Sequence, residues 1–149
     1  WALTMPFTML PAEKEMLVIK KVREELYTTV GLRTLAKDDP DFHSVYIGPM
    51  EERDRAYHQG TVWAFPLGAS YRACIRYAGK CADTSEKERI MAELAQGFGA
   101  LEDWLREGCV AQIAEIYDGD TPTVSRGCFA QAWSVTELLR AVYDYEKAK

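Results

Sequence analysis

The chain has 149 residues, with 18 Lys and Arg against 23 Asp and Glu and a formal net charge of −5. That length suits one domain, 1–149, with a sizeable core. The mildly acidic balance excludes a phosphate-tracking basic face, so no nucleic-acid partner is expected. No apolar run reaches membrane-spanning length and no signal peptide opens the chain, so no membrane partner and a cytoplasmic location are expected.

The apolar stretch from Trp1 to Leu10 comes first. It reads as a piece of something longer, with an apolar face that a partner would cover. The first helix is predicted from Pro11, because proline lacks the N–H that goes unpaired at a first helical position. Glu13 and Glu15 precede Lys20 and Lys21, in the order the helix dipole prefers. Met16, Ile19, Val22 and Leu26 recur at helical spacing and form its inner face. Lys14, Lys20, Arg23 and Glu24 form its solvated face.

From Tyr27 to Gln59 the helical pattern stops at Gly31, Pro40, Gly48 and Pro49. Long stretches of this kind inside a compact domain are usually functional or disordered. Tyr27, Leu32, Leu35, Phe42, Tyr46 and Tyr57 give it packing residues, so it reads as an ordered loop. A second helix is predicted over Gly60 to Ala78, with Trp63, Leu67, Tyr71, Cys74, Ile75 and Ala78 buried and Pro66 tolerated near the first turn. A third starts at Ser85, where Ser85 and Glu88 have capping-box spacing, and ends at Gly108. Its stripe is Ile90, Met91, Leu94, Phe98, Leu101 and Leu105, and Gly97 and Gly99 permit close approach of a neighbouring helix. A fourth covers Gln131 to Lys147 with Val135, Leu138, Leu139, Val142 and Tyr145 inward. No alternating strand pattern is visible. The expected fold class is all-α, with about four long helices and long ordered loops.

Cys74, Cys81, Cys109 and Cys128 form no C-x-x-C pair, and His43 and His58 are the only imidazoles. Neither a metal nor another cofactor is expected. Free thiols are the default, and Cys74 on an apolar helical face reads as packing.

The stretch from Gln112 to Arg140 carries the chemistry. Glu115 stands between Ile113-Ala114 and Ile116-Tyr117. A carboxylate among apolar groups loses hydration, which favours its protonated form, the setting a general acid or base needs. The bland alternative is a loop acid facing water. Trp63 and Trp133 can offer ring faces to a sugar, although tryptophans at helix starts more often pack in a core. Arg33, His58, Gln59 and Gln131 can hydrogen-bond hydroxyls. Asp118 and Asp120 can either hold the loop or bind hydroxyls. Asp54 lies between Arg53 and Arg55, which keep it ionised; it is expected to be salt-bridged and a poor proton donor. His58 has no second imidazole or serine elbow beside it and reads as a pocket-wall or structural residue.

Three blocks in order, GLRTL at 31–35, YHQGTVW at 57–63 and 114–140 with its EIYDGD, Gly127-Cys128 and QAWS, resemble the C-terminal glucosidase domain of glycogen debranching enzymes. The resemblance implies an (α/α) toroid of six helical hairpins, of which this chain would be the C-terminal portion. It implies hydrolysis of α-1,6-linked glucosyl stubs with inversion, and an α-glucan or oligosaccharide as partner. It places Glu115 as the general base, and Tyr57, His58, Gln59, Trp63, Gln131 and Trp133 against the substrate. Two departures stand out. The family's acidic Asp belongs to an earlier helix–loop unit and is expected to be missing, leaving this chain inactive alone. Ala64 and Phe65, with Pro66 shifted, replace the proline and tryptophan that often follow Trp63. The competing readings are a carbohydrate-binding module without catalysis and a helical interaction domain that forms a homo-oligomer in place of its missing toroid helices.

Overall fold

A computed structural model describes residues 1–107 and 109–149. The fold is predominantly helical. Among the described residues there are five α-helices: α1 Ala12–Glu25, α2 Met50–Tyr57, α3 Phe65–Lys80, α4 Thr84–Trp104 and α5 Ala132–Ala148. The end expected for the third helix, Gly108, lies outside the described residues.

Two side-chain-level contacts set the helix directions. Gly68, early in α3, lies against the Glu137 carbonyl, early in α5. Further on, Arg72 Nε donates to Asp144 Oδ2 at 2.7 Å. Thus α3 and α5 run side by side in the same direction. Glu15 at the start of α1 meets Lys80 at the end of α3, and Gly97 of α4 lies against the Tyr71 ring of α3. So α1 and α4 run against α3. Leu67, Tyr71, Ile75, Leu94, Leu101, Leu138 and Tyr145 form the shared core.

The sequence misses a sheet. Four two-residue strands, β1 Leu32–Arg33, β2 Val62–Trp63, β3 Ile116–Tyr117 and β4 Ser125–Arg126, pair antiparallel in that order. The registers are Leu32↔Trp63, Trp63↔Ile116 and Ile116↔Arg126. Strands this short show no alternation, and each depends on partners far along the chain. The pairing also corrects the second helix: residues 60–64 are not helical, because Val62 and Trp63 hydrogen-bond on both sides as a central strand. Pro66 then falls at the first positions of α3, where its missing N–H leaves no gap.

Other local expectations shift by small, explicable amounts. Pro11 is the cap of α1 and not its first residue. Asp83 caps α4 instead of Ser85, accepting from Ser85 N at 2.9 Å and Glu86 N at 3.4 Å. A carboxylate there also suits the positive end of the helix. Leu139, placed inward by spacing, is 64% exposed. Glu15 is a first-turn acid of α1, as read, and is in addition buried against Lys80. The expected loop over 27–59 is ordered and contains α2. Cys74 is partly buried, and burial pushes its thiol up to about 11, as a packing role requires.

Candidate active site

The sheet sits where α3 and α5 begin, and it turns β3 and the segment before it through Glu115. Ala114, Ile116 and Tyr117 are buried, whereas Glu115 is partly exposed. The apolar frame read from the sequence therefore goes into the core, and the carboxylate faces the other way. Its setting is one of specific hydrogen bonds more than of desolvation.

Two donors hold that carboxylate. The Tyr57 hydroxyl donates to Oε1 at 2.5 Å, and the Cys128 backbone N–H donates to Oε2 at 3.0 Å. Hydrogen bonds to an ionised carboxylate are stronger than neutral ones. Gly127 has φ +65, and a Cβ on it would come within 2.5 Å of Glu115 Oε2. Glycine thus serves the turn and leaves room for the carboxylate. Burial first, and then the bond to Glu115, push the Tyr57 phenol well above its ordinary range, so it remains a donor at neutral pH.

Glu115 opens onto a shallow cleft of about 560 Å³ that is also lined by Tyr46, Ile47, Gly48, Arg53, Arg126, Gly127 and Cys128. Among the described residues lining it, Glu115 is the only carboxylate. Arg53 lies 5.8 Å over the Tyr46 ring. A second hollow of about 450 Å³ lies between α1, α3 and α4, lined by Met16, Tyr27, Tyr71, Cys74 and Leu94 among others. Its rim charges pair with one another, Arg23 with Glu93 and Arg89 with Glu86 and Glu93.

Behind Tyr57 stands an aromatic cluster. Trp63 meets Tyr57 edge-on at 4.7 Å, and His58 stacks on Trp63 at 5.5 Å. Trp63 is 5% exposed, and its indole N–H donates to the Tyr57 carbonyl at 2.9 Å. Trp63 is thus buried, with its indole N–H bonded within the protein. Trp133 is 44% exposed and stacks on Phe65 at 4.4 Å, while Trp1 stacks on Phe65 at 5.9 Å. Phe65, a departure from the expected motif, thus joins the aromatic wall.

The remaining candidates divide. Arg33 donates Nε to the Gly119 carbonyl at 2.9 Å and Nη1 to the Tyr27 carbonyl at 3.3 Å, a strut between loops. Asp118 is buried and accepts both Nε and Nη2 of Arg126 at 2.9–3.1 Å and the Tyr46 N–H at 3.0 Å. Of its two sequence readings, loop holding fits this geometry. Asp120 is exposed and pairs with Lys37 at 3.3 Å. Gln59 accepts the His43 N–H at its backbone carbonyl, and Gln131 caps α5 without a side-chain bond. Asp54 is exposed on α2, and among the described residues it forms no ion pair, contrary to the expected salt bridge. Its arginine neighbours in sequence point elsewhere on a helix, since adjacent residues do not share a face.

Sequence reasoning missed Tyr46, the Cys128 N–H and Arg126 at this cleft. The one signal was the Gly127-Cys128 pair, since a glycine before a turn donor marks a tight approach of backbone to another group.

Among the described residues, no helix is long and apolar enough to cross a membrane. The family model for amylo-alpha-1,6-glucosidase matches residues 1–140 of the chain.

Proposed function

This chain belongs to the amylo-alpha-1,6-glucosidase family, and from that premise we propose that it supplies the base side of an inverting α-1,6-glucosidase site acting on the glucosyl stubs of an α-glucan. The observation that carries the reading is the Glu115 carboxylate, fixed by Tyr57 and the Cys128 N–H at the edge of an open cleft.

In such a site Glu115 takes a proton from water as the water oxygen bonds to the anomeric carbon. The glycosidic C–O bond breaks, and a second carboxyl group protonates the departing oxygen. Inversion needs about 6.5–9.5 Å between the two carboxyl groups to accommodate that water. Among the described residues lining the cleft Glu115 is the only carboxylate; on this reading the acid belongs to another helix–loop unit, and the chain alone is expected to release no glucose from branched dextrins. Trp133, Phe65 and His58 supply ring surfaces near the cleft, and Gln59, Gln131 and Arg53 polar groups for sugar hydroxyls.

The test uses α-D-glucosyl fluoride, whose fluoride departs without a proton donor. The chain is expected to hydrolyse it slowly, and Glu115→Gln to lose that activity. Equal fluoride release by both proteins would sink the base assignment.

A second reading, a helical oligomerisation module, is favoured by the exposure of Trp1, Phe7, Met9 and Leu17, each above 55%. Sedimentation as a monomer would exclude it. Carbohydrate binding without turnover is the outcome if sugar titrates Trp133 while Glu115→Gln changes no rate. We take the cytoplasm as the compartment on the strength of the glucan-processing family.

A further inference from the structure

We propose that Tyr57 is a positioning residue, the phenol of which, together with the Cys128 N–H, locks the Glu115 carboxylate in one orientation from behind the cleft. This rests on the reading of Glu115 as the base, and it moves Tyr57 from the substrate-touching set to the set that acts through another residue.

Three observations support it. First, the two carboxylate oxygens are held by donors from different parts of the chain, Tyr57 at the end of α2 and Cys128 just after β4. A glutamate side chain has three rotatable bonds, and two fixed donors on opposite oxygens leave it little freedom. Second, Tyr57 is not among the residues lining the cleft, although its hydroxyl reaches Glu115. Third, the phenol is itself immobilised. Tyr46 lies 5.6 Å from it, His58 4.8 Å and Trp63 4.7 Å. The Thr61 hydroxyl and the Trp63 indole both donate to its backbone carbonyl. A rigid donor supported by its own packing is what precise aim at a reacting atom requires.

The device also explains why an aromatic cluster, with Trp63 buried in it, stands behind an otherwise open site. Trp63 does not need to touch sugar to matter; it fixes the residue that fixes the base.

The test uses the whole chain, labelled with ¹⁵N and with ¹³Cζ-tyrosine. In Tyr57→Phe the spectrum should stay dispersed while the Cys128 amide proton moves upfield. Its hydrogen exchange should accelerate about tenfold, as loss of one charge-assisted hydrogen bond predicts. In Glu115→Gln the Tyr57 ¹³Cζ resonance at neutral pH should shift, because its hydroxyl loses a charged acceptor, with the other tyrosines unchanged. That second variant keeps the proposal falsifiable if Tyr57→Phe does not fold. A Cys128 amide indifferent to Tyr57→Phe, or a Tyr57 ¹³Cζ resonance indifferent to Glu115→Gln, overturns the clamp. If both respond but Glu115→Gln hydrolyses α-D-glucosyl fluoride like the parent, the clamp stands and the base reading falls. If hydrolysis is lost and neither signal responds, the base reading stands and the clamp falls.

Discussion

Gly68 lies so close to the Glu137 carbonyl that a Cβ would overlap it. The two parallel helices α3 and α5 therefore meet backbone to side-chain-free backbone at the end where the site is built. A methyl there has no flexible side chain to push aside. Gly68→Ala is expected to destabilise the chain by about 2 kcal/mol, despite the better helix propensity of alanine. A fall in the urea midpoint at constant m-value is the check, and an unchanged midpoint would mean the helices slide apart freely.

Gly127→Ala should act on the base directly. The left-handed φ costs alanine roughly 1 kcal/mol, and the new Cβ would stand 2.5 Å from Glu115 Oε2. The carboxylate is the softer partner, so it should swing away from the Cys128 N–H. The expected result is a small stability loss with a large loss of α-D-glucosyl fluoride hydrolysis. Proportionate losses in both would point to a general structural defect.

Asp118→Asn tests the buried pair beneath the cleft. The side chain of Asp118 is 6% exposed and binds Arg126 through two nitrogens. Removing the negative charge strands a partly buried guanidinium, a change that costs about 3 kcal/mol in comparable pairs. Chemical denaturation measures it, and a cost under about 0.5 kcal/mol would place the pair with weak surface bridges.

Much of this architecture is legible in residue spacing. The stripe from Ile90 to Leu105 and the packing of Gly97 on Tyr71 follow from helical periodicity and a missing Cβ. Helix α2 was readable in principle: Pro49, then Glu51 and Glu52, then Arg53 and Arg55 follow the order of the helix dipole. Its eight residues carry too few apolar side chains to show a period. The sheet is a different matter. Leu32, Trp63, Ile116 and Arg126 are neighbours only through pairings that no local window contains. For the same reason Glu115 was identifiable as a chemical group while Tyr57 was not identifiable as its partner, 58 residues away.

Acid should loosen the clasp of α1 on α3. Hydrogen bonds from Thr8 and then Lys80 hold the Glu15 carboxyl below the usual carboxylate range. Its folded pKa is lower than its unfolded one, so its contribution is fully present above the unfolded value of about 4.3. It is lost as pH falls through the lower folded value. Stability against urea should therefore decline below about pH 4 more steeply in the parent than in Glu15→Gln. Parallel pH profiles would show that the Lys80 pair contributes nothing.

Trp133→Ala should weaken the binding of short α-1,6-glucosyl oligosaccharides. The ring is 44% exposed beside the buried Trp63, so its loss removes the exposed ring surface proposed for sugar and about 1 kcal/mol of stacking on Phe65. Tryptophan indole shifts during a sugar titration are the readout. Unaltered affinity with altered oligomeric state would assign the wall to assembly.

The sheet has one more consequence, and it concerns time. Its four strands are drawn from residues 32 to 126, and Glu115, the Tyr57 phenol and the Cys128 amide are carried on segments that join only when those strands close. Local helices can form early, while closing such long loops is the slow part of folding. The helical hairpin of α3 and α4 should thus be protected from exchange before Glu115 has either of its donors. The cluster around Glu115 would be the last part of this chain to mature and the first to dissolve under stress.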